Sequence, residues 1–244
     1  MKAWVKSHLP KSTLRHLSEF RQIWFTNYAR ESYSQEGEDL LLGRFLEGRR
    51  TGFFVDVGAH HPKRFSNTYA LYRKGWNGIN IDANPGSMQL FKRIRPRDIN
   101  IEAAVYSTHK QLTYHAFNEP ALNTFNKTLA LERVGGAYRI VEEINIEALP
   151  LSEILERHVP AGTKIDLLTV DVEGLDLEVL RSNDWSRYVP EFILVECFDW
   201  STWDQAAADP IAQFLMERHY SIVGKTMHTV LFKLMASQQR RSSK

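Results

Sequence analysis

At 244 residues, 43% apolar and 25% charged, the chain has the size and apolar content of one globular domain rather than of a disordered or collagen-like polymer. Its 31 basic and 29 acidic residues leave a formal charge of +2, too balanced for a protein whose work is gripping nucleic-acid phosphates. The one cysteine, Cys197, allows neither an internal disulfide nor a cysteine zinc cage, as suits a reducing cytoplasm, and no apolar run reaches the roughly 20 residues of a membrane span.

Residues 1–31 set Lys2, Lys6, Lys11, Arg15, Arg21 and Arg30 among Leu14, Leu17, Phe20, Ile23 and Trp24 at helical spacing, and Lys6, His8, Pro10 and Lys11 interrupt any leader-like apolar stretch. The pattern predicts a basic amphipathic arm. It either packs against the domain or associates weakly with an anionic membrane surface, which would make a cytoplasmic protein peripheral at the inner face.

Ser32 and Gln35 have the spacing of a capping box for a helix buried through Leu41, Leu42, Phe45 and Leu46 and ended by Gly48. The apolar run 53–57 reads as a strand buried on both faces. A helix over 67–74 stops at Gly75, a second strand through Ile79 and Ile81 ends at Asp82, and Asn84 with Pro85 opens a third helix. Residues 101–105 read as a third strand, 165–170 as a fourth and 192–195 as a fifth. Helices follow on Leu175, Val179 and Leu180, and on Ile211, Phe214, Leu215 and Arg218 behind Asp209 and Pro210. An antiparallel pair, 221–223 with 229–232, closes the domain, which spans 32–235 before a polar tail at 236–244. The stretch 106–149 is too long for a connection. Its Asn118, Glu119, Asn123, Thr124 and Asn126 and the flexible Gly135 and Gly136 read as an acceptor-binding insertion. Strands alternating with helices predict an α/β fold, an open and mostly parallel sheet with helices on both faces and a ligand at the strands' carboxyl ends.

The residues at those ends carry the chemistry. The first strand runs into Asp56-Val57-Gly58-Ala59-His60-His61-Pro62, where a glycine lets a ligand approach the backbone and a carboxylate can meet a cation. The spacing is not G-x-G-x-x-G, which disfavours a dinucleotide. Asp82 ends the second strand at the separation where an acidic side chain meets a ribose diol. Either aspartate alone reads equally well as a loop cap; together they outline a nucleoside pocket without a phosphate site, which suits S-adenosylmethionine. The fourth strand delivers Asp171 and Glu173, of which one can deprotonate a hydroxyl while the other orients it or holds a metal, unless both merely cap the helix after Gly174. A divalent ion stays open, with Asp171, Glu173, Glu196 and Asp199 as its candidate ligands. His60 and His228 are weaker candidates for a base. Phe198, Trp200 and Trp203 suit a sugar ring or ordinary packing equally.

The strings Ser34-Gln35-Glu36-Gly37-Glu38-Asp39, Phe54-Val55-Asp56-Val57-Gly58-Ala59-His60, Asn80-Ile81-Asp82-Ala83 and Asp171-Val172-Glu173-Gly174, the last followed by Leu177, Glu178, Val179 and Leu180, resemble the FkbM family of S-adenosylmethionine-dependent O-methyltransferases over residues 33–233. The resemblance implies a class I methyltransferase fold, a seven-stranded sheet whose last strand is antiparallel, and methylation of hydroxyls on sugars or natural products. The H-H-P and S-N-T elements are similar to those of nodulation-factor fucose 2-O-methyltransferases, which implies a sugar-containing acceptor on a bacterial glycoconjugate; the charge balance argues against a nucleic-acid partner. Carried over, Asp56, Gly58 and Ala59 line the methionine half of the cofactor, Asp82 with Ala83 the ribose, and Ala103 with Ala104 the adenine. His60 stands where many members carry Asn, so the contact to the cofactor carboxylate is open. Glu173 is expected to be the base, with Asp171 next. The alternatives are a non-sugar natural product, a carboxyl or an amine as acceptor, and, in another class, a non-catalytic glycan- or cofactor-binding module, against which the carboxylates at 171 and 173 argue.

Overall fold

The structure, a computed structural model, describes residues 10–197 and 202–235. The chain divides into two compact units, residues 1–31 and 32–244. In the first, helix α1 (Lys11–Phe25) has no buried residue, and Arg15 donates to Glu19 one turn on at 2.8 Å. Lys2, Lys6, His8 and the tail from 236 lie outside the described residues. Among the described residues no helix is long and apolar enough to cross a membrane.

The strands of the second unit are β1 (Phe53–Val57), β2 (Asn77–Asp82), β3 (Ile99–Glu102), β4 (Ala104–Val105), β5 (Lys110–Phe117), β6 (Ile140–Leu149), β7 (Leu167–Val170), β8 (Phe192–Glu196), β9 (Tyr220–Lys225) and β10 (Thr229–Leu234). Its helices are α2 (Glu38–Phe45), α3 (Tyr69–Lys74), α4 (Ser87–Ile94), α5 (Lys127–Arg133), α6 (Leu151–His158), α7 (Asp176–Arg181), α8 (Trp203–Ala208) and α9 (Pro210–Met216). Seven strands form one sheet in the order β3-β2-β1-β7-β8-β10-β9, parallel except for β10, which runs antiparallel to both its neighbours. This is the seven-stranded arrangement the family resemblance implies.

Alternate residues of each central strand feed two cores. Phe53, Val55 and Val57 join Ile79, Ile81, Val170, Ile193 and Val195 over α6, α7 and α9 on one face, while Phe54, Leu167, Phe192, Leu194 and Leu231 pack with Leu42, Leu71 and Trp76 on the other. Burial on both faces is why these strands read as largely apolar runs instead of alternating ones.

Local capping signals fail where a nearby carboxylate captures the same groups. Ser32 caps no helix: α2 starts after Gly37, whose φ is 88°, and the Asp39 carboxylate takes Ser32 Oγ at 2.6 Å, the Tyr33 amide at 2.8 Å and Ser34 Oγ at 3.0 Å. Asn84 likewise caps nothing, because its amide donates to Asp82 Oδ1 at 2.8 Å and α4 begins after Gly86. The third predicted strand is two. Pairing with β2 ends at Glu102 opposite Asp82, and β4 then crosses into a second sheet, β4-β6-β5, built by residues of the long insertion.

Phe192 is fully buried. Replacing it with Ala should cost about 3–5 kcal/mol in urea unfolding, whereas Leu131→Ala, at a side chain 61% exposed, should stay within about 0.5 kcal/mol.

Candidate active site

The strands that build the site end in step. Val57 pairs with both Ile81 and Val170, and Val170 pairs with Val195, so the next residue of each chain segment, Asp82, Gly58, Asp171 and Glu196, falls in one row along the sheet edge. Over that row opens a cleft. The residues carried over to the cofactor and to catalysis meet there: Asp56 in β1 with Gly58, Ala59 and His60 after it, Asp82 at the end of β2 with Ala83, Ala104 in β4, and Asp171 and Glu173 after β7. Tyr114, Asn123, Thr124 and Phe125 close it from the insertion.

Gly58 has a different reason for being glycine than the sequence suggests. Its φ is 83°, and a β-carbon there would lie 1.7 Å from the Asp171 carbonyl oxygen, so the space is needed by the neighbouring loop. Asp82 joins the two loops beside it. One carboxylate oxygen accepts the His60 amide at 2.8 Å and the other the Asn84 amide at 2.8 Å, while burial pushes its carboxyl above the usual range. His60 adopts a left-handed φ of 52° with its ring stacked 6.2 Å from Phe65. Its Nε2 is buried without a hydrogen-bond partner among the described residues, and burial together with Arg64 holds the ring below the usual histidine range. Asp56 is 5% exposed and accepts Thr68 Oγ1 at 2.6 Å. Ala59 and Ala104 are buried and present only methyl groups.

The other end of the cleft is a cluster of acids. Oxygens of Asp171, Glu173 and Glu196 lie within 4.8 Å of one another, close enough to share a divalent cation or a proton. Asp171 is exposed on the cleft; the protein atoms crowded around its carboxyl, and then the negative charges of Glu173, Asp176 and Asp56, push it well above the usual range. Glu196 sits behind it with Oε2 buried and unpaired among the described residues; burial, then Asp171, push it up to about 10. Asp176, up to about 7 through burial, accepts the Val172 and Gly174 amides at 3.2 Å each and so shapes the turn that carries Glu173.

Glu173 is held by the insertion. Its φ is 56°, Thr124 Oγ1 donates to its carbonyl at 2.8 Å, and Arg133 of α5 pairs with its carboxylate while donating to the Leu122 carbonyl at 3.0 Å. Thr124 is among the insertion residues the sequence points to. Arg133 is not, because nothing local links it to a carboxylate 40 residues on. His228 stays out of the cleft, its amide and ring both bound to Glu36. Phe198, Asp199 and Trp200 lie outside the described residues, as does the side chain of Trp203.

A profile of the methyltransferase FkbM domain matches residues 56–222, more than half of the chain. The methyltransferase sdnD of Sordaria araneosa is 34% identical over 106 residues, which is 41% of this chain and 38% of that protein. Among solved structures, a methyltransferase from Geobacter sulfurreducens aligns over 96% of this chain and 95% of its own at 12% identity and a TM-score of 0.38. An O-methyltransferase from Bacillus cereus in complex with SAH aligns over 96% of both chains at 12% identity and a TM-score of 0.38. TM-scores this low add nothing to the topology above.

The contact at Gly58 gives a clean contrast. Gly37 has a similar φ of 88° but nothing within 4 Å of an added β-carbon, so Gly37→Ala should cost about 1–2 kcal/mol from the backbone alone. Gly58→Ala should cost at least about twice that in chemical denaturation, since backbone must move as well. Equal losses would show that the loops are not in tight contact.

Proposed function

The chain belongs to the FkbM family of methyltransferases, and on that premise we propose that it moves a methyl group from S-adenosylmethionine to a hydroxyl of a sugar in a bacterial glycoconjugate. The observation that carries this reading is the row at the sheet edge, which sets Asp82 and the Gly58 turn directly beside Asp171.

The residues present fit that cofactor. Each oxygen of Asp82 holds one amide and keeps a lone pair with which to accept a ribose hydroxyl. Ile81, Ala103, Ala104 and Val105 supply an apolar wall for the adenine, and the buried, unpaired Nε2 of His60 can serve a polar atom of the ligand. The bound cofactor supplies an electrophilic methyl group on a sulfonium. The surrounding carboxylates favour that positive charge, and no phosphate-binding loop competes for the site.

The protein's own task is then to align a hydroxyl and accept its proton. Alignment can contribute about 7–11 kcal/mol in well-oriented systems, and a general base typically about 10²–10⁴-fold. The raised proton affinity of Asp171 and its place on the cleft support it as the proton acceptor. Glu173, although first in the sequence reading, is already paired with Arg133, which supports a role in orienting the hydroxyl. Tyr114 and Phe125, with ring centroids 4.9 Å apart, and the polar Asn123 and Thr124 support a sugar acceptor, whose ring has an apolar face and a hydroxyl rim. Fucose, methylated at O2 on a nodulation factor, is the first acceptor to try.

Calorimetry with S-adenosylhomocysteine should show binding by the wild type and at least about a tenfold loss, about 1.4 kcal/mol, in Asp82→Ala. No binding by the wild type, or undiminished binding by the variant, would sink the reading. Asp171→Asn should keep cofactor affinity while transfer falls by about 10²–10⁴-fold, read as a single added methyl group by mass spectrometry of fucosylated glycans. Unchanged turnover removes Asp171 from the base role. Cofactor binding with no transfer to any sugar, natural product, carboxyl or amine would favour a binding module.

A further inference from the structure

A fully buried arginine stands behind the cleft, in no motif and outside the cleft lining. Arg95 follows α4 and is 0% exposed. Its Nε donates to Asp98 Oδ2 at 2.7 Å, and Nη1 donates to Thr68 Oγ1 at 3.0 Å and to Ser66 Oγ at 3.4 Å. The rings of Phe54, Tyr72 and Phe91 have their centroids 5.1, 5.3 and 5.7 Å from the guanidinium carbon, while Nη2 has no partner among the described residues. Burying a charge this deeply costs several kcal/mol even when it is paired, and apolar side chains would fill such a space at no loss of stability. The arrangement is better explained by what it does at its far end.

The hydrogen bonds run in one direction. A guanidinium can only donate, so the Thr68 hydroxyl must accept from Arg95, and its one hydrogen is left for Asp56, whose Oδ2 it reaches at 2.6 Å. Asp56 borders the cleft on the side where the cofactor's amino-acid half is assigned.

We propose that Arg95 is a positioning residue of the cofactor site: acting through Thr68, it fixes the orientation and the charge of the Asp56 carboxylate that meets the cationic end of the ligand. The proposal rests on the cofactor reading of the preceding subsection. Several groups act on Asp56. The Thr68 hydroxyl from the start of α3 and Arg95 from the end of α4 favour its charged form, while Asp98 before β3, Asp82 at the end of β2 and Asp171 after β7 oppose it. Burial is the largest influence and pushes the carboxyl up to about 6. Taking away either the arginine or the threonine hydrogen leaves burial less opposed, so Asp56 should hold its proton to higher pH. An ammonium group favours the ionised carboxylate. Affinity should therefore fall as pH drops through about 6 in the wild type, and begin to fall at higher pH in the variants.

The test is carboxyl-carbon NMR of Asp56 in the full chain without ligand, for wild type, Arg95→Met and Thr68→Val, beside calorimetry with S-adenosylhomocysteine over the same pH range. Thr68→Val keeps the volume and the Arg95–Asp98 pair, so it decides the matter should Arg95→Met fail to fold. Expected is an Asp56 midpoint near 6 in the wild type, a rise of about one pH unit in each folded variant, and a parallel shift in the pH at which affinity is lost. An unmoved Asp56 midpoint in folded Thr68→Val overturns the proposal, because a merely structural arginine would change stability and not this titration. A shifted midpoint with no S-adenosylhomocysteine binding at any pH upholds the control over Asp56 and refutes the methyl-transfer reading.

Discussion

The site depends on one close approach, the Asp171 carbonyl lying where residue 58 has no β-carbon. That contact lets the turn after β1 lie flat against the turn after β7, and the matched register of β2, β1, β7 and β8 extends it into a row of four strand ends. The Asp82 and Asp171 carboxylates, proposed to bind the ribose and to accept the proton, then stand on the same edge without either being carried by a long loop. Precision comes from the sheet, whose central residues are buried on both faces.

The cost of the arrangement is electrostatic. Asp56, Asp82, Asp171, Asp176 and Glu196 all sit where burial opposes ionisation, and they raise one another further. Such crowding does nothing for stability and is characteristic of sites that handle protons or cations. Two arginines temper it from opposite ends. Arg95 reaches Asp56 through Thr68 from beneath the β1 side, and Arg133 reaches Glu173 from the insertion. The near-neutral charge of the whole chain therefore conceals a strongly acidic cleft.

Much of this is legible in the sequence, for a physical reason. A strand buried on both faces is apolar at most positions, so 53–57 and 165–170 announce themselves, and the acids within and just after them, Asp56 and Asp171, announce the site. What escaped was set by contacts distant in sequence. β4 pairs with β6 instead of continuing β3 along β2, which splits a predicted strand, and Asp39, seven residues on, draws Ser32 away from a capping position its spacing would fill. Arg95 and Arg133 fall in no sequence pattern, and only the fold brings Thr68 and Glu173 to them. Gly58 was legible as a requirement, although its reason, a neighbouring strand's carbonyl, was not.

The most direct test of this account is a crystal structure of the protein with S-adenosylhomocysteine. It should place the ribose hydroxyls on the Asp82 carboxylate, the amino-acid half against Asp56 and the Gly58 turn, and the sulfur toward Asp171. A ligand bound elsewhere, or one that leaves Asp82 untouched, would contradict it.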